Sequence, residues 1–144
     1  MDLEQRIQAL QHSTVFALLP RDDLTLLASV MRVEAFAVGE TICEHGEPAD
    51  DVFVLVTGNL DVFLPMNDVA VRTLGPGAML GEYAMFSGGT RTAKIVSRTQ
   101  STLLSLDTVR FREFLLAFPR SAFVLLETSV RRLIELESRM RKQA

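Results

Sequence analysis

The chain has 144 residues, 48% apolar and 23% charged, with a formal charge of -3; this globular mix, at the usual size of one domain, carries no disordered or collagen-like bias. The acidic balance excludes broad, sequence-independent nucleic-acid binding, which needs a basic face to displace counterions from phosphates. A single cysteine, Cys43, and only two histidines, His12 and His45, exclude an intramolecular disulfide and a closed zinc site.

In chain order, Leu3, Ile7, Leu10, Leu24, Leu27, Ala28 and Met31 recur at helical spacing, broken by Pro20. This predicts two or three short helices over residues 1–30. From Met31 to Leu106 the pattern changes to short β-rich runs: Val52 to Val56, Leu60 to Leu64, Val69 to Leu74, Thr92 to Val96 and Thr102 to Leu106. Thr57-Gly58-Asn59 between two of them reads as a hairpin turn. Successive strands without intervening helices point to a sandwich, a barrel or a jelly roll over 31–106. Helical spacing returns over 107–144, with Asp107 as an N-cap and Pro119 in the first turn of a last helix. There Ala122, Leu126, Ser129, Leu133, Leu136 and Met140 follow alternating four- and three-residue steps, widened by Phe123, Val130 and Ile134. A stripe this wide has one side for the β-domain and another for a second copy or a ligand. No repeat or linker divides the chain, so one domain over 1–144 is expected. No run reaches the ~18 uncharged apolar residues of a membrane span, and Met1 to His12 is too charged for a leader. A cytoplasmic protein with no membrane partner is the expectation.

The chemistry concentrates in Leu74 to Ser97, LGPGAMLGEYAMFSGGTRTAKIVS, a Gly-rich stretch with one carboxylate, Glu82, and one arginine, Arg91. Glycines admit positive φ and close backbone approach, so N–H groups can converge on an anion. A short helix starting near Glu82 to Phe86 would add its dipole. Arginine supplies a planar, always-charged fork for two phosphate oxygens. An ionised glutamate beside that anion needs a donor, and a sugar hydroxyl is one. The pair thus fits a ligand with a phosphate and a free hydroxyl close together. On residue types alone it also fits a surface salt bridge flanking a turn, and that plainer reading stays open at this point.

The order of short motifs extends beyond the pair. His45-Gly46-Glu47, the Gly58 turn, Leu74-Gly75-Pro76-Gly77, Gly81-Glu82-Tyr83-Ala84-Met85-Phe86 and Arg91-Thr92-Ala93 follow one another over about Phe36 to Met140. This resembles the cyclic nucleotide-binding domain of catabolite activator proteins and of cyclic-nucleotide-dependent kinases and channels. The resemblance implies an α+β fold, an antiparallel β-roll of the jelly-roll kind flanked by N-terminal helices and a long C-terminal helix. It also implies a phosphate-binding cassette at 80–93. There Glu82 would accept the ribose 2′-hydroxyl, Arg91 would pair with the cyclic phosphate, and Gly81 with the amides near Ala84 and Thr92 would complete the cradle. Ala93 would be the small residue opening the next strand. Two positions depart from the family: Thr90 stands where proline is common, and Tyr83 follows the glutamate where an aliphatic residue is usual. Thr92 leaves the base open between cAMP, taken first, and cGMP.

No dinucleotide fingerprint, Walker lysine motif, nucleophile elbow or paired carboxylates occur, so a sensor without a cofactor is expected instead of an enzyme. Cys43 and His45 read as packing and turn residues. Arg131 to Ala144 holds five basic residues and two glutamates, a solvated face in preference to a DNA contact. The chain stops where DNA-binding relatives would begin a helix-turn-helix, so no DNA-binding domain is expected. Ligand entry is expected to draw the last helix across the base, with Leu133, Leu136, Glu137 and Met140 as lid positions. The same helix is expected to form a homodimer and signal to a downstream protein not identified by the sequence. The rival is a nucleotide-independent protein-interaction module on the same fold.

Overall fold

Chain order alternates helical fastenings with a double-layered sheet. The computed structural model of the protein describes residues 1–81 and 89–143. Helix α1, Leu3–Gln11, opens on Asp2, whose carboxylate accepts from the Gln5 backbone N–H while the Gln5 side chain accepts from the Asp2 N–H; this reciprocal box satisfies two otherwise orphaned donors. A turn follows in which the buried Ser13 hydroxyl accepts from the Val15 N–H at 3.2 Å. Helix α2, Arg21–Val30, starts directly after Pro20 and carries Asp22 and Asp23 in its first turn, where negative charge suits the helix dipole.

Among the described residues eight strands follow: β1 Arg32–Phe36, β2 Thr41–Cys43, β3 Asp51–Thr57, β4 Leu60–Phe63, β5 Arg72–Leu74, β6 Met79–Leu80, β7 Lys94–Ser97 and β8 Ser101–Asp107. They form two antiparallel four-stranded sheets, ordered β1-β8-β3-β6 and β2-β7-β4-β5. The fold class is therefore the one expected, helices flanking an antiparallel β-roll. Helices α3, Thr108–Ala117, and α4, Pro119–Gln143, complete the described chain. Asp107 caps α3 by accepting from the Arg110 N–H at 2.7 Å, and Pro119 begins α4, as the sequence indicated.

Two apolar layers explain the strand sequences. Val52 and Val54 of β3, with Leu104 and Leu106 of β8, face Leu10, Phe16, Leu24, Leu27 and Phe111 of the helical layer. The alternate residues Phe53, Leu55 and Leu103 pack between the sheets against Leu60 and Leu80. Buried on both faces, the middle of β3 is a continuous apolar run, unlike a strand with one wet face.

Several sequence boundaries are corrected. Strands β1, β2 and β6 were not among the β-rich runs, β5 begins at Arg72 instead of Val69, and β7 begins at Lys94 instead of Thr92. Thr57-Gly58-Asn59 is not a hairpin turn, because β3 and β4 belong to different sheets. It is a corner that carries the chain from one layer to the other. Gly58 has φ +101°, and a Cβ there would meet Ser101 Oγ and stand 2.7 Å from the Gln100 carbonyl. A shift of register between Leu55 and Thr57 helps turn the strand just before it.

Candidate functional site

The segment after β6 returns to the roll through a backbone clasp. The Arg91 N–H donates to the Glu47 carbonyl at 2.8 Å, the Gly46 N–H donates to the Arg91 carbonyl at 2.9 Å, and the Ala49 N–H donates to the Gly89 carbonyl. An isolated bridge pairs Pro48 with Thr90. The His45-Gly46-Glu47 motif thereby earns a physical role: its turn holds Arg91 in place. Gly46 takes φ +85° there, which a glycine adopts without strain.

The Arg91 side chain is 8% exposed. Its Nη2 donates to the Asp51 carbonyl at 2.8 Å, and its Cζ lies 5.6 Å from the centroid of the Phe53 ring. Gly81 makes room for it. With φ +94°, a Cβ at Gly81 would sit 2.5 Å from Arg91 Nη1 and 2.8 Å from the Asp51 carbonyl oxygen. A side chain at that position would displace the guanidinium. Gly81 and Arg91 are thus one unit, joined across the gap between β6 and β7. A buried guanidinium is costly unless acceptors surround it, and among the described residues its five N–H donors have one carbonyl bond. An anion entering beside it meets that demand.

Such space exists. A cavity of about 330 Å³ is lined by Gly81, Arg91, Thr92 and Ala93, by Cys43 and Ile95 of the second sheet, and by the 75–80 turn and strand. Two more arginines, Arg72 of β5 and Arg132 of α4, line it as well, and Thr14 reaches it from the N-terminal turn. A small organic anion would therefore meet positive charge at the buried end and at the helix side. Burial pushes the Cys43 thiol above its ordinary pKa, and the nearby Arg91 charge pulls it partway back.

Of the residues singled out from the sequence, Gly81, Arg91, Thr92 and Ala93 come together at this cavity. Glu82, Tyr83 and Ala84 lie outside the described residues, as does the short helix expected near Glu82 to Phe86. Leu133 and Leu136 line a neighbouring cleft shared with Arg72 and Arg132. Glu137 pairs with Arg141 at 3.7 Å along the helix, and Met140 is exposed. Sequence reasoning missed Arg72, Arg132 and Thr14. For Arg132 a signal existed, because it continues the inner row of Ser121, Leu125 and Thr128 at helical spacing. For Arg72 and Thr14 there was none. Among the described residues no group of three or more His, Cys, Asp or Glu side chains is arranged to hold a metal ion, and no helix is long and apolar enough to cross a membrane.

A β-roll with a buried arginine opposite a positive-φ glycine, at the wall of a cavity that α4 borders through Arg132, is an arrangement suited to a ligand that carries an anionic group. Residues 33–118 match the cyclic nucleotide-binding domain family, and the chain belongs to that family. It is 35% identical over 109 residues to a cyclic nucleotide-gated potassium channel of Mesorhizobium japonicum, covering 76% of this chain and 30% of the channel. It is 35% identical over 115 residues to a cAMP-dependent protein kinase regulatory subunit of Blastocladiella emersonii, covering 77% and 28%. The chain therefore spans less than a third of either relative. Among solved structures, the N-terminal domain of a transcriptional regulator from Streptomyces coelicolor A3(2) superposes with a TM-score of 0.77 at 27% identity, covering 90% of this chain and 92% of that one. The catabolite activator protein of Thermus thermophilus gives 0.77 at 22% identity, covering 91% and 63%, and at that identity it shows the shared fold.

Proposed function

We propose that this chain is a cyclic nucleotide sensor, without catalytic activity of its own, in which Arg91 binds the cyclic phosphate and Glu82 the ribose 2′-hydroxyl. The observation that carries the reading is the buried Arg91 guanidinium, fitted against Gly81 at the wall of the cavity. On this reading the phosphate completes its hydrogen bonds, Gly81 and the amides near Ala84 and Thr92 complete the cradle, and no metal or cofactor takes part. The proposed ligand is cAMP ahead of cGMP; in support, the kinase subunit of Blastocladiella, named for cAMP, is 35% identical, and a cGMP-dependent protein kinase of Plasmodium berghei is 29% identical.

Output runs through α4. Beyond Thr128 every side chain of this helix to Lys142 is exposed, and its outer row, including Phe123 at 60%, Leu126 at 59%, Val130 at 46% and Ile134 at 58%, is apolar. The three- and four-residue steps of that row are those of a helix that pairs with another helix, and a second copy of this chain is the proposed occupant. Ligand moves α4 only by its differential affinity for two helix positions; Leu133, Leu136, Glu137 and Met140 are the positions proposed to close over the base. The changed helix surface is then read by a downstream protein in the cytoplasm.

Calorimetric titration with cAMP and cGMP decides the central claim. The native chain is expected to bind one of them, and Arg91→Ala to weaken binding by about 1.5–3 kcal/mol, the usual worth of a hydrogen bond to a charged group. Absence of heat and of competition with either nucleotide replaces the sensor with an interaction module that uses the exposed α4 row alone.

A further inference from the structure

The turn after α1 reaches the cavity through Thr14 and α4 reaches it through Arg132, and a buried polar contact joins the two supports. The Ser121 hydroxyl, in the first turn of α4, donates to the Asp23 carboxylate, in the first turn of α2, at 2.6 Å. Ser121 is completely buried. Asp23 belongs to a well-fixed element, since Leu24, Leu27 and Ala28 beside it are at most 1% exposed and lie in the main core. The same N-terminal unit abuts the cavity rim. Its Thr14 lines the cavity, and Gly77 lies so close to His12 that a Cβ there would stand 2.7 Å from the His12 carbonyl oxygen.

Position 132 is eleven residues beyond 121, about three helical turns or ~16 Å along the axis and almost on the same face. Arg132 there lines the cavity that holds Arg91. Between them, Val124 and Leu125 are only partly buried against the core and Thr128 is half-buried. From Ser129 to Lys142 every residue of α4 is largely exposed. The bond at Ser121 is thus a fixed polar point near the root of a long, lightly supported arm. A small rotation at the root displaces Arg132 by more than it displaces Ser121.

We infer that Asp23 and Ser121 are positioning residues for the ligand, acting through Arg132: their hydrogen bond sets the rotation of α4 at which Arg132 faces the cavity. The inference rests on reading that cavity as the cyclic nucleotide site. Asp23 itself touches no ligand, and its effect is conveyed by helix position.

The test is a mutant cycle on the full chain, with cAMP and cGMP affinity as the readout and hydrogen exchange of the ligand-free protein as an independent one. Asp23→Ala and Ser121→Ala should each weaken nucleotide binding by about two- to thirtyfold, the range for residues that couple to a site without touching ligand. Asp23→Asn, which keeps an acceptor, should recover most of the loss. In an Arg132→Ala background both alanine substitutions should lose their effect on affinity. Equal losses with and without Arg132 overturn the inference. If the native chain binds neither nucleotide, the function reading fails by itself, and exchange then decides the latch: faster exchange over residues 121–132 in Asp23→Ala supports it, and unchanged exchange sinks it.

Discussion

Strands β3 and β8 and the outer half of α4 are opposite solutions to the same apolar supply. The two strands are buried on both faces, with Val54, Leu103 and Leu104 at 0% exposure. In α4, residues of similar size from Leu126 to Met140 stand in solvent. The strands must be apolar to hold the layers together, and nothing in the described chain covers the row on α4. Stability is therefore concentrated away from the cavity's helix side, where the low-stability elements that respond to ligands are found. A rigid wall holding Arg91 and a lightly held arm holding Arg132 meet at one cavity.

The largest effect should come from breaking the wall. Leu104→Ala removes a side chain packed between sheet and helices, and a loss of about 2–5 kcal/mol is expected. Leu126→Ala on the outer row should stay within about 0.5 kcal/mol in dilute, monomeric protein. Chemical denaturation of both variants checks the contrast; equal losses would mean that the α4 row is buried in solution.

Gly81→Ala comes next and acts on the wall's ligand face. Positive φ costs a non-glycine residue roughly 1–2 kcal/mol, and the added carbon collides with Arg91 Nη1 and the Asp51 carbonyl. The variant should fold with a lowered melting temperature and bind nucleotide as poorly as Arg91→Ala. Native affinity in a folded Gly81→Ala would break the proposed unit of glycine and arginine.

Smaller still on stability, but decisive for the arm, is Ile134→Asp. An isoleucine buried between two copies is worth about 1.5–3 kcal/mol, so the dimer dissociation constant should rise at least tenfold, since each 1.4 kcal/mol is a factor of ten. Melting of the monomer should barely change. Light scattering over a concentration series reads this directly, and a native chain that stays monomeric throughout removes the second copy as the occupant.

The same contrast explains what the sequence revealed. Strand β3 was legible because burial on both faces leaves Val52 to Val56 without a polar residue. Helix α4 was legible because Pro119 starts it and its apolar steps persist to Met140. Strands β1, β2 and β6 were not. RVEAF and TIC interleave polar or exposed residues with few buried ones, and β6 has two residues whose pairing with Phe53 and Val54 is decided by distant chain. Gly58 drew a local reading, a hairpin, when its conformation serves a corner between sheets. At the site, Arg91 and Gly81 were legible because chemistry and glycine freedom leave marks in residue type. Arg72 and Thr14 reach the cavity through long-range packing, which no local spacing records.

The smallest expected effect lies on the wall. Cys43 lines the cavity and is 7% exposed, and burial foremost raises its pKa while Arg91 partly opposes the rise. Folding therefore favours the neutral thiol. Its contribution to stability is complete below the ordinary thiol pKa, near 8.5, and is lost as pH rises through the higher folded value. The native chain should lose slightly more stability than Cys43→Ala across that alkaline interval, as read by denaturation at successive pH values. Because Arg91, ahead of the Ile95 backbone, draws the thiol back down, an anion bound there should weaken that pull and raise the thiol further. Alkylation of Cys43 at mildly alkaline pH should then slow when cyclic nucleotide is added, beyond the slowing from simple occlusion. In a Lys94→Ala control the protection by ligand should persist, because Lys94 pairs with Glu44 and is not among the charges that shift Cys43. Protection that survives Arg91→Ala at saturating ligand would assign the effect to occlusion alone.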